Sequence, residues 1–464
     1  MNIPPTKSPS NSFPVRTSAC PGLSRIVSAL DGGICRIKLP CGQLTSRQAA
    51  VIADVSTRYA SGVIELTNRS NIQIRGVQAA HADALVTILI AAGLGPTTPG
   101  GDDVRNLMVS PTAGIDIDAL IDVAPIAREI LALLQTQTHL HALSPKFALL
   151  LDGGERLAMR EHPHDVWLSY IDAEQPLFAV GFAGCPALNH ALAAIPVQRA
   201  IEFIDAVLSA FLACASPAQH RMRDLLATIP ANIFLDSVQR RLSFPLVAAM
   251  SHWRCVPSAQ QNLHIGIQPQ HQGDLNYVGA VPVLGRLHAK QLHTLAEIAQ
   301  ESGDSSLRLT PWQSVLLPNI PKESSATVLE KLKKLGLGVD ADDALAHVIA
   351  CTGSRGCAKG LADTKADALQ LASSLRSQKA KQENSTITDV HLSGCVRACA
   401  AAHVAPMTLL AVATGRYDVF VRDNNISRTE EKSHFGRLIA TAVTIDDVSK
   451  LLINPVFKLD ITDA

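Results

Sequence analysis

Four cysteines in the C-terminal part of the chain have the residue type and spacing to bind an iron-sulfur cluster. Cys351 and Cys357 stand in CTGSRGC, and Cys395 and Cys399 stand in SGCVRAC. Four thiolates are the ligand set of a [4Fe-4S] cluster, and neither pair has the C-x2-C spacing common in structural zinc sites. Both pairs lie among Gly and Ser, which disfavours the alternative of four buried, unreactive thiols. The pattern predicts a cluster without indicating its use.

A second pair, Cys35 and Cys41, repeats the C-x5-C spacing, with Cys20 nearby. The internal repeat described below places apolar Val278 and Leu284 opposite this pair. We therefore expect Cys35 and Cys41 to occupy core or strand positions, not a second cluster site.

Composition limits the function classes. A chain of 464 residues is long enough for two to four domains, and its 41 basic and 41 acidic residues balance. Without a basic run, we expect no nucleic acid or membrane partner. The sequence opens without a charged region followed by an apolar one, so we expect a reducing cytoplasm. The apolar passage Pro176–Val197 contains Gly, Pro, Asn and His, which predicts a buried strand and a following helix instead of a membrane span.

The positions of strands and helices follow from the hydrophobic pattern. Residues 1–19 are rich in Pro, Ser and Thr and are predicted to be a disordered tail. GGICRIKLP alternates as a strand does, LTSRQAAVIADVSTRYA has helical spacing, and GVIELTNRSNIQIRGV predicts two strands around a polar turn.

An internal repeat with an offset of 243 residues aligns CGQLTSRQAAVIADVSTRYASGVIELTNRSNIQI with LGRLHAKQLHTLAEIAQESGDSSLRLTPWQSVLL. The correspondence continues more weakly, with VRNLMVSPTAG opposite HVIACTGSRG and LLLDGG opposite VHLSGC. Only the second copy contains the four cysteines. We therefore predict a pseudo-two-fold α+β or α/β protein in which one half holds the metal centre and the other supplies groups that face it.

The N-terminal half contains a group of polar side chains, here called the polar set, that could face this centre. Its members are Arg69, Asn71, Gln73, Arg75, Arg105 and Lys146. Ile72 and Ile74 are predicted to point into the core, which leaves the alternate residues on the other face. Guanidinium groups there could bind carboxylates through paired hydrogen bonds. The second copy has Trp312, Leu316 and Pro318 in place of Arg69, Gln73 and Arg75, which favours a functional face over a merely solvated one.

Together the paired cysteines, LTNRSNIQIRG, RN and PKF resemble the sirohaem nitrite and sulfite reductase superfamily. Within it, ACPGLSRIVSALDGGICRIKLPCGQLT, VRNLMVSPTAG, SPKFALLLDGG and SGCVRAC are most similar to the precorrin-3B synthase family of aerobic cobalamin synthesis. The resemblance implies ferredoxin-like half-domains at 20–100 and 256–340. It also implies reductase-type α/β domains at 101–255, without a cluster, and at 341–464, with it.

The resemblance also implies roles for individual residues. Cys351, Cys357, Cys395 and Cys399 match the cluster ligands, and Cys399 matches the cysteine that bridges to sirohaem iron in the reductases. Arg69, Arg105 and Lys146 match basic residues around the anion or tetrapyrrole. Two positions depart from the reductases: Ala148 replaces a second lysine, and GCVR replaces GCPN. Both departures favour the synthase over a reductase.

The implied reaction uses O2 and an unidentified electron donor to convert a carboxylate-rich tetrapyrrole, precorrin-3A, into precorrin-3B. The resemblance further implies a mononuclear non-haem iron, but the sequence has no 2-His-1-carboxylate spacing from which to name its ligands. Two other hypotheses remain: a sirohaem-dependent nitrite or sulfite reductase, and a cluster-based redox sensor. The sensor would normally bring a basic interaction module, and the sequence contains none.

Overall fold

The structure of the chain is a computed structural model, and it describes residues 20–171, 174–247, 253, 255, 262–379, 387–401, 405–422 and 435–453. The predicted tail at 1–19 lies outside the described residues. Four five-stranded sheets make up the described architecture.

The first repeated unit has an order of elements that follows the alternation read from the sequence. Its elements are β1 (Val27–Ala29), β2 (Gly32–Ile37), β3 (Gln43–Thr45), α1 (Ser46–Tyr59), β4 (Val63–Leu66), β5 (Ile72–Val77) and α2 (Ala82–Ala91). Its counterpart comprises β11 (Gly266–Pro269), β12 (Leu275–Ala280), β13 (Arg286–His288), α7 (Ala289–Ser302), β14 (Ser306–Leu309), β15 (Val315–Pro321) and α8 (Lys322–Lys334).

These two units exchange one strand each. The first sheet has the order β1-β2-β5-β4-β13 and the second has the order β11-β12-β15-β14-β3, so β3 and β13 each pair in the sheet of the other unit. α1 packs on α7, and one continuous hydrophobic core contains residues of both units. The two units therefore form a single packed body.

Conformational details confirm the repeat. Gln48 Oε1 accepts from Thr45 N at 3.0 Å at the start of α1, and Gln291 Oε1 accepts from His288 N at 2.9 Å at the start of α7. Both contacts satisfy a backbone donor that the helix itself leaves unpaired. Cys41 and its counterpart Leu284 share a left-handed φ of 52°.

The other two sheets also have a common topology. The first is formed by β6 (Leu107–Val109), β7 (Leu149–Asp152), β8 (His164–Ile171), β9 (Leu177–Gly184) and β10 (Ala193–Pro196), with helices α3 (Ala124–Thr136), α4 (Ala200–Cys214), α5 (Met222–Leu226) and α6 (Ala231–Gln239). The second is formed by β16 (Val348–Ala350), β17 (Val390–Ser393), β18 (Met407–Ala413), β19 (Arg416–Val421) and β20 (Arg437–Val443), with α9 (Thr364–Lys379) and α10 (Ile445–Ile453). In each sheet the first three strands are parallel, and the fourth and fifth each pair antiparallel with the strand before them.

The expectation of a strand and a following helix for Pro176–Val197 is wrong in its second half. The segment forms two antiparallel strands, β9 and β10, and α4 begins only at Ala200. Asn189 Oδ1 accepts from Cys185 N at 2.9 Å in the connecting turn. This side-chain contact stabilises a turn in place of a helix start. No helix among the described residues is long and apolar enough to cross a membrane.

Cys35 is completely buried in the shared core, as predicted. Cys41 lies in the turn before β3 and is half-buried against the neighbouring core. Burial is the main cause that raises the pKa of Cys35 to about 12 and that of Cys41 to about 11. Both cysteines are therefore neutral thiols.

The strained turn after α1 gives a test of the fold. Gly62 has a φ of 73°, and a Cβ there would meet no atom within 4 Å. Gly62→Ala should therefore lower the free energy of unfolding by roughly 0.5–1 kcal/mol, because the left-handed strain in the folded state exceeds the stabilisation that comes from the lower entropy of the unfolded chain. Urea unfolding measures the change. Gly273→Ala is the matched control, since Gly273 is equally uncrowded but has no positive φ. Equal shifts of the unfolding midpoint in both variants would contradict the argument.

Candidate functional site

The parallel pairing of β16 and β17 places one cysteine of each pair at the same edge of a sheet. Cys351 directly follows β16, and its N donates to Leu392 O at 3.1 Å. Gly394 follows β17, and its N donates to Cys351 Sγ at 3.1 Å. The carboxyl ends of neighbouring parallel strands thus bring together the two loops that contain the cysteines, residues 351–357 and 394–399, here called the cysteine loops.

Glycine allows these loops to approach closely. Gly353 has a φ of 69°, a left-handed conformation that favours glycine. A Cβ on Gly394 would lie 3.2 Å from Gly360 Cα and 3.4 Å from Cys351 Sγ. A larger residue at either position would therefore push the loops apart or strain them.

The thiols influence each other electrostatically. The pKa of Cys399 is raised, first by desolvation of the thiol and then by Cys395, Cys351 and Cys357. Four thiolates at this spot therefore need a compensating positive charge, which cluster iron would supply. The residue set and the loop geometry fit a [4Fe-4S] cluster.

The described residues contain no group of three or more His, Cys, Asp or Glu side chains that could hold a metal ion. The mononuclear iron implied by the resemblance thus gains no support from this part of the chain. The result is compatible with a cluster, because a single ion needs all its ligands within about 2.3 Å, whereas cluster thiolates bind different iron atoms of a larger core.

The turn between β4 and β5 brings the polar set to the cysteine loops. Thr67 Oγ1 accepts from Arg69 N at 3.3 Å and from Asn71 N at 3.0 Å, which fixes the turn. At its tip, Asn68 Nδ2 donates to Cys399 O at 3.1 Å. This contact joins residues 331 positions apart. The N-terminal half therefore faces the fourth cysteine directly.

Arg69 is a buried member of the polar set whose charge is only partly compensated. Its guanidinium forms no hydrogen bond or ion pair with any residue that the structure describes, and it lines a pocket. Burial, followed by the charges of Arg221 and Arg36, lowers its pKa to about 10. The group remains charged at neutral pH and is suited to bind an anion.

Gln73 and Arg75 are engaged within the protein. With its amide oxygen turned toward Arg36, Gln73 accepts from that guanidinium at 3.2 and 2.7 Å. Arg75 is almost fully buried, donates to Asp31 at 3.0 and 2.6 Å, and donates to Gly356 O at 3.1 Å. Arg75 therefore supports the first cysteine loop. The strand alternation had predicted a free guanidinium at this position, and that expectation is wrong.

The remaining members of the polar set differ in exposure. Asn71 Oδ1 accepts from Leu39 N at 2.8 Å, and Arg105 Nη2 donates to Asp102 at 2.8 Å. Lys146 is exposed, and its side chain has no partner among the described residues.

The pocket beside Arg69 has both polar and apolar walls, and its lining includes Asn71, Arg105, Asn106, Ala148 and His164.

Sequence reasoning missed four cationic or polar side chains around this pocket: Arg36, Lys38, His164 and Arg221. Arg36 and Lys38 alternate with the core residues Cys35 and Ile37, so the strand pattern that placed the polar set could also have found them. Burial is the main cause that lowers the pKa of Lys38 to about 7. Arg221 lies far along the chain, and no local pattern connects it to the site.

Family models match more than half of the chain. Residues 100–246 match the nitrite and sulphite reductase 4Fe-4S domain, and residues 30–92 and 268–335 match the nitrite/sulfite reductase ferredoxin-like half domain. The chain belongs to the nitrite and sulphite reductase superfamily. It is thus an enzyme of an oxidoreductase class. The match at 100–246 covers the copy without the four cysteines.

Its relatives within this superfamily have different activities. The ferredoxin–nitrite reductase of Zea mays is 29% identical over 399 residues, which are 82% of this chain and 69% of the maize protein. That of Synechococcus elongatus is 26% identical, with coverage of 90% and 84%. The precorrin-3B synthase of Sinorhizobium sp is 24% identical, with coverage of 86% and 82%.

The solved structure of the Mycobacterium tuberculosis NirA protein aligns with 90% of this chain and 79% of that protein, with a TM-score of 0.76 and 22% identity. At this identity the likeness shows the fold. It confirms the predicted reductase-type architecture with duplicated ferredoxin-like half-domains.

The arrangement predicts which cysteines hold iron. Cys351→Ser, Cys357→Ser, Cys395→Ser and Cys399→Ser should each lose the cluster from anaerobically purified protein, since each removes one of four thiolate ligands. Iron and sulfide analysis with absorption spectroscopy measures the loss. Cys35→Ser and Cys41→Ser are the controls, because these thiols lie in or against apolar cores and should leave the cluster intact. A full cluster in the Cys395→Ser protein would overturn the assignment.

Proposed function

We propose that this chain is a precorrin-3B synthase. In this reaction one atom of O2 becomes a hydroxyl group at the meso carbon C20 of precorrin-3A, and a ring acetate closes a lactone. Two electrons and two protons reduce the other oxygen atom to water. The product therefore differs from the substrate by one added oxygen atom.

The observation that carries this proposal is Ala148. It lies buried in the pocket wall with Arg69 and Arg105, at the position where the reductases, by resemblance, have a second lysine. Its methyl group supplies no charge to an iron-bound anion. A pocket with fewer cations is less suited to nitrite or sulfite and better suited to uncharged oxygen chemistry.

The substrate's many carboxylates have partners in this proposal. Arg69 has an uncompensated guanidinium in the pocket, and Lys146 presents an exposed ammonium. Arg36 is held by Gln73 on the same sheet, where burial lowers its pKa. Such groups bind carboxylates through charge-assisted hydrogen bonds, and they would orient the macrocycle over the cysteine loops.

The cluster, when bound, would supply electrons one at a time. Cys351, Cys357, Cys395 and Cys399 would hold it, and the Asn68 contact to Cys399 O would keep the Arg69 turn beside it. The names of the plant and cyanobacterial relatives include ferredoxin. We therefore extend the proposal to a ferredoxin-type donor.

A second candidate is ferredoxin-dependent nitrite reduction with sirohaem. The 29% identity to the maize enzyme favours it. Under this alternative, Cys399 would help to hold the cluster and the sirohaem, which would supply electrons to the anion, and Arg69 and Arg105 would hold the anion. The purified protein would then contain stoichiometric sirohaem.

Direct assay separates the two candidates. Anaerobically purified protein, supplied with precorrin-3A, reduced ferredoxin and 18O2, should yield a product heavier by one labelled oxygen atom, as measured by mass spectrometry. A parallel assay with nitrite and reduced ferredoxin should give no ammonium, and acid extraction should release no sirohaem. Nitrite turnover with extractable sirohaem, and no change in the tetrapyrrole, would transfer the function to the reductase.

The polar set should control tetrapyrrole binding. Arg69→Ala should weaken binding of precorrin-3A about tenfold to a hundredfold, since a lost charge-assisted contact costs roughly 1.5–3 kcal/mol. Lys146→Ala should have a smaller effect, because water and salt screen an exposed contact. Arg69→Lys should also bind poorly, because an ammonium lacks the paired geometry of guanidinium.

Equilibrium titration of precorrin-3A measures these changes, and absorption of the cluster checks that the fold is intact. Arg223→Ala is the control, since the Arg223 side chain is 74% exposed and paired locally with Asp224. Parent-like affinity in both Arg69→Ala and Lys146→Ala would show that these two cations do not bind the tetrapyrrole.

A further inference from the structure

His164 lies in the pocket with Arg69, at the first position of β8. The residue is only 2% exposed. Neither the repeat nor the cysteine pattern pointed to it. Its position in the wall beside Ala148 raises the question of what its imidazole offers to a ligand.

The hydrogen bonding of the imidazole defines its tautomer. Nδ1 lies 2.8 Å from His162 O, and a carbonyl oxygen can only accept, so Nδ1 carries a proton. Nε2 is buried and has no partner among the described residues. Burial, together with the charges of Arg69 and Arg221, lowers the pKa of His164 to about 3. The ring is neutral, and Nε2 presents a lone pair.

Elsewhere in the pocket, the unpaired groups are donors. The Arg69 guanidinium has no partner among the described residues, and Arg105 Nε is buried without one in the same part of the chain. Among the described side chains that line it, the pocket therefore has unpaired donors together with one unpaired acceptor. A buried acceptor left without a donor costs free energy, so a ligand that carries a proton satisfies this pocket better than one that does not.

We propose that His164 determines specificity: Nε2 accepts a hydrogen bond from a protonated oxygen of a ligand whose other oxygen atoms bind Arg69. The pocket then selects groups that carry an O–H over oxyanions that have only lone pairs, such as nitrite. A site built around such a hydrogen bond rejects analogues without the donor, because its own polar atom is left unpaired.

This inference deepens the proposed function. It rests on that function in one respect, namely that the reacting oxygen of the substrate lies beside the pocket. A hydroxyl group formed on the substrate, or the acid form of a carboxyl arm, has the required O–H. Selectivity for small ligands can be measured without turnover. Failure of the precorrin-3A assay would therefore leave the test of His164 unaffected.

Hydrogencarbonate and nitrate are matched probes, since both are planar anions with one negative charge and three oxygen atoms, and only hydrogencarbonate has an O–H. Calorimetric titration of the full chain at mildly alkaline pH measures both affinities. Heat that disappears in Arg69→Ala is assigned to this pocket. The parent should bind hydrogencarbonate about tenfold more tightly than nitrate, the value of one net hydrogen bond.

His164→Leu should reduce this selectivity to about equal binding, and His164→Gln, whose side-chain oxygen can accept, should restore part of it. Three outcomes would each overturn the proposal. The parent could bind nitrate as tightly as hydrogencarbonate or more tightly, it could bind neither anion, or His164→Leu could keep the full selectivity. If His164→Leu does not fold, the parent ratio still decides. So does the ring-nitrogen NMR spectrum of the parent, which must show Nε2 without a proton.

Discussion

The buried carboxylate of Glu65 connects the exchanged sheets to the cysteine loops. It accepts from Arg286 at 2.8 Å across the β4–β13 pairing, and it accepts from Thr352, next to Cys351, at 3.0 and 3.1 Å. Burial alone would raise its pKa, but Lys365, Arg75 and Arg286 together lower it. Removing one partner from a buried ionic group typically costs about 3–5 kcal/mol. One buried charge therefore contributes both to the strand exchange and to the position of the first cysteine loop.

The two α/β copies meet the same structural need in different ways. β6 and β16 begin 241 residues apart, at Leu107 and Val348, as do β7 and β17, at Leu149 and Val390. With this offset, the counterparts of the four cysteines in the first copy are Ser110, Asp116, Gly154 and Ala158. There, Arg156 pairs with Asp116 at 3.1 Å and Arg160 pairs with Asp152 at 2.9 Å. Ion pairs thus hold the loops of the copy that lacks thiols.

The sequence predicted what short-range patterns and the repeat determine. The strands and helices of the duplicated units, the burial of Cys35 and the closeness of the cysteine pairs followed from periodicity, offset and residue type. The pairing of Arg75 did not follow from them, because its partner Asp31 and the loop carbonyl of Gly356 come from other segments. Likewise, the tautomer of His164 depends on a backbone carbonyl. Such contacts become visible only once the tertiary structure is known.

Charge compensation within the protein is incomplete around the pocket beside Arg69. Carboxylates close to it are already engaged: Asp102 accepts from Arg105, and Asp165 accepts from Arg221 at 2.9 Å. Among the residues that the structure describes, Lys38 donates to one backbone carbonyl, at 2.8 Å, and the Arg69 guanidinium has no partner. Desolvation of the two cations is the main cause that lowers the pKa values of Lys38 and Arg69, and nearby carboxylates offset it only in part, so burying these charges costs stability. An anionic ligand would relieve this cost. The desolvation of these cations is a cost of folding, so an anionic ligand would not have to bear it again. The cations are also fixed in position, which lowers the entropic cost of binding.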